Sequence, residues 1–435
     1  MAAIAMPAAP TRVRIPATVS ATLAANEALA ARRGRGEPVL PLAFGEAGLP
    51  AHPALRAALA AAAGCNCYGP VAGLEDLRAA AAGYWSRRRL PTGPGDVVCG
   101  PGSKPLLYGL LLALGADVAV PRPSWVSYAA QASMTDGRPH FVPTRPGEGG
   151  VPDPVRLDRA VTAARAEGRH IASVVVTLPD NPTGALASPD TIGGLCEVAA
   201  RHDLIIISDE IYRDLVHDPT APFISPAEIA PERTVVTTAL SKNLAVGGWR
   251  IGVARLPSGP AAPPAAGLRD RLLSVGSEIW SAPSGPVQQA AAFAFTEPPM
   301  LAERVARSKR LHAAVAQAVA TRLRAAGATV PAPGAAFYLY PDFGPWRELL
   351  LDRYGISTGA ALAGLLLDRY GAGVLPASAF GEAAEALRLR VATGLLYGST
   401  DEQREAALAA ADPVSLPWIA ASLARIEHIL ADLHG

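Results

Sequence analysis

The 435-residue chain predicts an α/β fold, a mostly parallel sheet covered by helices on both faces. Three observations predict it. The middle of the chain carries near-continuous β-branched runs. These runs alternate with helical patterns. Three of them end in polar residues, placed where open α/β sheets bind their ligands.

Taken in order, the elements justify the reading. MAAIAMPAAPTRVRIPA lacks a long apolar signal core and carries its arginines after the apolar part, so residues 1–12 read as a frayed arm. ADVAV (116–120), IASVVVTL (171–178), LIIIS (204–208) and TVVTTAL (234–240) have the composition of strands buried on both faces. Between them, SPDTIGGLCEVAAR (188–201) starts a helix with a serine cap and a proline in the first helical position. LPSGPAAPPAAG (256–267) reads as a surface loop. Beyond residue 300 the pattern changes to a long helix (301–326), a strand within AAFYLYPDF, and a strand ALRLRVA (386–392). LLLDRYG occurs at 349–355 and again at 365–371, too few copies for a repeat array, so both are helical pieces. The last helix places Ile419, Leu423, Ile426, Leu430 and Leu433 on one face. Residues 61–300 are thus expected to form a large domain. Residues 13–60 and 301–435 are expected to build a smaller α+β domain from both chain ends.

Composition narrows the function. Half the residues are hydrophobic and 18% charged, with a net charge of +1, so neither nucleic acid nor an anionic membrane is expected as partner. The longest apolar run, PLLYGLLLALGADVAV (105–120), is broken by Asp117 and two glycines and is no membrane span. Four cysteines make no disulfide framework in a chain this long, and free thiols suit a reducing cytoplasm. Cys65-Asn66-Cys67 is too tight for a zinc knuckle, and no histidine spacing suggests a catalytic metal.

Lysine usage is the sharpest signal. Lys104, Lys242 and Lys309 are the only lysines beside 36 arginines, so a primary amine at 242 calls for a chemical reason. The strand ends supply its company: Asn181 after VVVTLPD, Asp209 and Tyr212 in LIIISDEIY, Ser241 and Lys242 in TTALSK. Gly102, Ser103 and Lys104 open a helix whose free N–H groups and dipole favour an anion. Arg250 in GGWRIG adds a bidentate fork. A pyridinium nitrogen wants a carboxylate (Asp209), and a phenolate wants donors (Asn181, Tyr212). A phosphate wants Ser103, Ser241 and Arg250, and a flat ring wants Trp125. An aldehyde wants an amine, which guanidinium cannot replace. The ligand so described is pyridoxal 5′-phosphate. GPGSKP (100–105) is a poor dinucleotide loop, because Pro105 stands where the third glycine belongs.

NPTG (181–184), DEIY (209–212), SK (241–242) and GWRIG (248–252) stand in the order and near the spacing of a known family. From about residue 12 to the end, the sequence resembles the fold-type I aminotransferases of the aspartate aminotransferase superfamily, class I/II. The resemblance implies a seven-stranded sheet in a large pyridoxal-phosphate domain. It implies that Lys242 forms the internal aldimine and shuttles the proton, that Asp209 pairs with the pyridine nitrogen, and that Asn181 and Tyr212 bond the phenolic oxygen. Gly102, Ser103 and Lys104 (through backbone N–H), Ser241 and Arg250 would hold the phosphate, with Trp125 stacked on the ring. It further implies that Tyr68 in CYGPVAGLEDLR reaches the phosphate of a neighbouring subunit in a homodimer with shared active sites. Arg388 would grip the substrate α-carboxylate, near a backbone contact at Gly45. Two departures stand out: Ala239 replaces a hydroxyl residue common three positions before the lysine, and Arg390 stands where a small residue is common. Residues two apart in a strand share a face, so Arg390 competes with Arg388.

The expected function is transfer of an amino group from an α-amino acid to a 2-oxo acid. A β-lyase, cyclase, decarboxylase or oxidase would use the same residues, and a non-catalytic sensing domain ranks below these. With no unambiguous second arginine for a dicarboxylate, the sequence favours neutral or aromatic substrates.

Overall fold

Seven strands form the central sheet of a computed structural model that describes residues 19–257 and 265–435. The arm expected over 1–12 and the middle of the Pro/Gly-rich stretch lie outside the described residues. In chain order the strands are β1 (Val97–Gly100), β2 (Asp117–Arg122), β3 (Pro139–Pro143), β4 (Ile171–Thr177), β5 (Ile205–Asp209), β6 (Thr234–Ala239) and β7 (Gly252–Arg255). Their spatial order is β1-β7-β6-β5-β4-β2-β3. Pairing is parallel from β3 through β2, β4 and β5 to β6, whereas β7 runs antiparallel to both β6 and β1. Every residue of β4, β5 and β6 is buried, as runs of Val and Ile covered on both faces require.

Helices cover both faces. Leu106, Leu107 and Leu110 of the Ser103–Leu114 helix pack on one side with Val98, Val175, Ile207 and Val235. Ile192, Leu195 and Val198 of the Pro189–His202 helix pack on the other with Val174, Val176 and Ile206. That second helix begins as its sequence predicts: the Ser188 hydroxyl accepts a hydrogen bond from Thr191 N–H at 3.2 Å, and Pro189 opens the helix.

A separate apolar cluster joins Leu40, Leu42 and Leu49 to Val315, Val319, Leu339, Leu389, Ile419, Leu423 and Leu433. The long helix spans Pro299–Ala325 and the last helix Pro417–His434, whose buried face is the predicted one. Both LLLDRYG copies are helix ends, in Arg347–Tyr354 and Gly359–Tyr370. The predicted late strands shorten to Tyr338–Leu339 and Leu389–Ala392, joined antiparallel to each other. Among the described residues no helix is long and apolar enough to cross a membrane.

Candidate active site

A cavity of about 560 Å³ opens at the carboxyl edge of the sheet. Ser103, Lys104, Trp125, Asn181, Asp209, Tyr212, Ser241, Lys242 and Arg250 all line it, with Gly45 on the opposite wall. The topology explains the convergence. Chain leaving parallel strands β1, β2, β4, β5 and β6 passes through this edge on its way to the next element. Because β7 runs backwards, its beginning lies at the same edge, so Arg250 arrives just before Gly252 starts the strand.

Register sets the polar row at the cavity floor. Thr177, Asp209 and Thr237 are paired neighbours across β4, β5 and β6. Tyr128 donates its phenol proton to Asp209 Oδ2 at 2.9 Å and lies 2.9 Å from the Thr177 hydroxyl. The Thr237 hydroxyl donates to Asp209 Oδ1 at 3.2 Å. Burial raises the Asp209 pKa to about 6 against these bonds. The Lys242 ammonium donates to the Gly45 carbonyl at 2.5 Å. Burial lowers its pKa to about 8; Arg390 and Arg250 push the same way, and Glu46 and Asp209 oppose. Lys242 is thus an amine that loses its proton unusually easily, facing a carboxylate that keeps one unusually well.

The phosphate end of the predicted set is equally tight. Gly102 caps the Ser103–Leu114 helix with φ 102°, a region L side chains avoid. A Cβ on it would lie 2.4 Å from Arg250 Nη2. A Cβ on Gly252 would lie 2.4 Å from Ser103 N. The helix N-terminus and the start of β7 are therefore packed backbone to backbone, with the Arg250 guanidinium against Gly102. The Lys104 ammonium lies 4.9 Å from the Trp125 ring centroid, and burial, then Arg250, lowers its pKa. The Trp125 ring meets Tyr128 edge-on at 5.3 Å between centroids.

Two expected residues lie elsewhere. Arg388 is outside the cavity, its side chain 42% exposed and ion-paired to Asp342 at 2.9 Å and Glu382 at 2.8 Å. Arg390, one strand repeat further in, is 1% exposed and lines the cavity. Its Nη1 donates to Asn181 Oδ1 at 3.1 Å and its Nη2 to the Ala43 carbonyl. Arg390 lies within the Leu389–Ala392 strand, whereas Arg388 stands one residue before it and is captured by two acids. Tyr68 is 94% exposed on the loop before the Glu75–Ser86 helix and does not enter the cavity of its own chain.

Residues the sequence reading missed complete the walls. Tyr128 stands three residues after Trp125 in PSWVSY, one helical turn on. Tyr338 shares a 2.8 Å hydrogen bond with Tyr212, hydroxyl to hydroxyl. Phe44 and Glu46 flank Gly45, and Ser20, Thr22 and Leu23 line the cavity as well. A larger cleft of about 830 Å³ lies near the turn after Lys242, with Arg88 and Arg213 on its wall. Those arginines are already paired with Asp214, Glu297 and Glu210, and no comparable set of reactive groups converges there.

Comparison with known proteins places the chain in the transaminating class of enzymes. Residues 38–410 match the family described as aminotransferase class I and II, and the chain belongs to that family. It is 32% identical over 333 residues to the probable aspartate/prephenate aminotransferase of Thermus aquaticus, covering 75% of this chain and 83% of that one. It is 31% identical over 389 residues to the aspartate aminotransferase of Geobacillus stearothermophilus, covering 87% and 93%. The fold is similar to that of the aspartate aminotransferase from Thermus thermophilus solved with maleate. The TM-score is 0.79 at 27% identity, over 95% of this chain and 97% of that one. The protein is an aminotransferase, its substrates are amino acids and keto acids, and its family uses pyridoxal 5′-phosphate.

Proposed function

We propose that the chain binds pyridoxal 5′-phosphate in this cavity through Lys242 and transfers amino groups between dicarboxylic amino acids and 2-oxo acids. The observation that carries the reading is the Lys242 amine, half-buried and with its pKa lowered to about 8, on the wall of the cavity that Asp209 also lines. The donor set fits the coenzyme. Ser103, Ser241 and Arg250 line the cavity at the N-terminus of the Ser103–Leu114 helix, a donor set that suits a phosphate. Asp209 supplies the carboxylate for a ring nitrogen, Asn181 and Tyr212 the polar groups for a phenolic oxygen, and Trp125 the ring face. Bound there, the coenzyme supplies an electron sink for the bond broken at the substrate α-carbon.

The protein's part follows from its own groups. Arg390, anchored by Asn181 and Ala43, replaces Arg388 as the proposed grip on the α-carboxylate. Lys242 moves the proton at the substrate α-carbon, since an amine with a pKa near 8 both takes and returns one near neutral pH. Asp209, with Tyr128 and Thr237 fixing its orientation, holds a proton at the nitrogen it faces. Lys104 is a further cavity cation with no carboxylate partner among the described residues, which supports an acidic substrate side chain. The relatives named aspartate aminotransferases support the same class, in place of the neutral side chains that the sequence favours. Tyr68, exposed in one chain, is proposed to complete the site of a second copy in a cytoplasmic homodimer.

The test is borohydride trapping. Purified protein loaded with the coenzyme should turn yellow and, after reduction, carry a stable adduct on the peptide containing Lys242. Lys242→Ala should lose the adduct and slow amino transfer by at least ~10³-fold. Aspartate alone should convert the bound coenzyme stoichiometrically to its amine form, which a lyase or decarboxylase would not do. A colourless protein with no adduct would overturn the reading.

A further inference from the structure

Tyr338 meets three of the groups assigned above. Its hydroxyl lies 2.8 Å from that of Tyr212, and the two rings meet edge-on at 5.5 Å between centroids. Its ring centroid lies 5.2 Å from the Arg390 guanidinium carbon. A Cβ on Gly45 would collide with its hydroxyl, so a glycine at 45 is what lets the phenol reach Tyr212. The backbone of Tyr338 is held by pairing with Ala392, and the residue is 1% exposed. A phenol has one proton to give. Two phenols in contact therefore divide the roles, one donating and one accepting. If Tyr212 gives its proton to a ligand in the cavity, only its lone pairs are left for Tyr338. The surrounding charges favour the same division. Burial raises both pKa values; Arg390 opposes the rise at Tyr338, with Asp180 adding to it. At Tyr212, Tyr338 and Asp209 reinforce the rise and Arg390 only trims it. Tyr338 is thus the more acidic phenol and the better donor.

We propose that Tyr338 is a positioning residue for Tyr212: its hydroxyl donates to the Tyr212 oxygen, turns the Tyr212 proton toward the coenzyme's phenolic oxygen and strengthens that bond. This role rests on the reading of Tyr212 as a ligand of that oxygen. The two phenols then form a chain in which one hydrogen bond polarises the next, strengthening it by roughly 10–30%. A firmer bond to the phenolic oxygen favours its anionic form. A weaker one leaves the oxygen more basic, and it keeps to higher pH the proton it shares with the Lys242 nitrogen. Tyr338 reaches the chemistry through Tyr212 and needs no contact with substrate to do so.

The experiment titrates the visible absorbance of the full-length protein, loaded with pyridoxal 5′-phosphate, against pH. Tyr212→Phe removes one donor and should raise the midpoint of the colour change by about one unit. Tyr338→Phe keeps the ring, loses the hydroxyl and should raise it by about 0.3 of a unit. In Tyr212→Phe/Tyr338→Phe the midpoint should match that of Tyr212→Phe alone, because nothing remains for Tyr338 to act through. An unmoved midpoint in Tyr338→Phe overturns the role, even if that variant unfolds earlier, since a lost packing contact destabilises without shifting the colour. A fall in place of a rise also overturns it, because Tyr212 would then be donating to Tyr338. Shifts that add in the double variant overturn it as well, because Tyr338 would be acting without Tyr212. If Tyr212→Phe itself leaves the midpoint unmoved, the reading of Tyr212 as a ligand fails and the role of Tyr338 with it, while the borohydride adduct on Lys242 stands or falls separately.

Discussion

Arg388 and Arg390 show how little separates a proposed substrate ligand from a surface cation. They stand two residues apart, and neighbouring acids distinguish them. Arg388 is neutralised by Asp342 and Glu382, whereas Arg390 has no acid partner among the described residues and donates to neutral oxygens at Asn181 and Ala43. Replacing the guanidinium fork by an ammonium loses the bidentate geometry but keeps the charge. Arg390→Lys should therefore raise KM for both the amino and the oxo acid by roughly 10- to 100-fold. Arg388→Lys should change neither by more than about twofold. Steady-state kinetics with both substrates check this, and the reverse pattern would return the role to Arg388. A second residue, Asp180, is fully buried beside Asn181, and burial raises its pKa to about 7. Its Oδ2 accepts from the Thr183 amide and hydroxyl, but Oδ1 has no partner among the described residues. A carboxyl with a raised pKa binds more protons folded than unfolded, so its contribution to stability is lost as pH rises from about 4 to about 7. The stability of apo Asp180→Asn relative to the parent should accordingly increase over that window in thermal melts. A pH-independent difference would contradict the assignment.

At the scale of elements, the start of β7 against the Ser103–Leu114 helix is the tightest joint around the cavity. Its closeness follows from the reversed direction of β7, which returns the backbone to the edge that the parallel strands leave. Gly252→Ala would force a Cβ into Ser103 N and the Gly102 backbone, both main-chain atoms that cannot rotate away. The variant should lose ~1–3 kcal/mol of stability and bind the coenzyme at least about tenfold more weakly. Gly248→Ala meets nothing within 4 Å and serves as the control, with unfolding midpoint unchanged. Coenzyme titration and denaturant unfolding of both variants decide the point. These elements were unequally legible in the sequence. β4, β5 and β6 announced themselves because strands buried on both faces are written in Val and Ile. β1 and β7 are only four residues long, and β3, PHFVP, is a partly exposed edge strand containing two prolines. Only the family resemblance supplied the count of seven.

Across the molecule, the sequence revealed the groups that end strands and concealed those that depend on register. Asn181, Asp209 and Lys242 stood out as polar residues closing apolar runs. Thr177 and Thr237 look like ordinary β-branched strand residues until pairing sets them level with Asp209. Tyr128 could be found only by knowing which way its helix turns. Lys104 was read for its backbone, while its side chain reaches the Trp125 ring. Distance along the chain is what local patterns cannot bridge, and the Arg390 bond to Ala43 spans 347 positions. That span has a consequence for biosynthesis. The pocket has no complete wall until residue 390 has emerged from the ribosome and folded back onto the segment made first. A nascent polypeptide thus holds its amine at position 242 for most of translation without the enclosure around it.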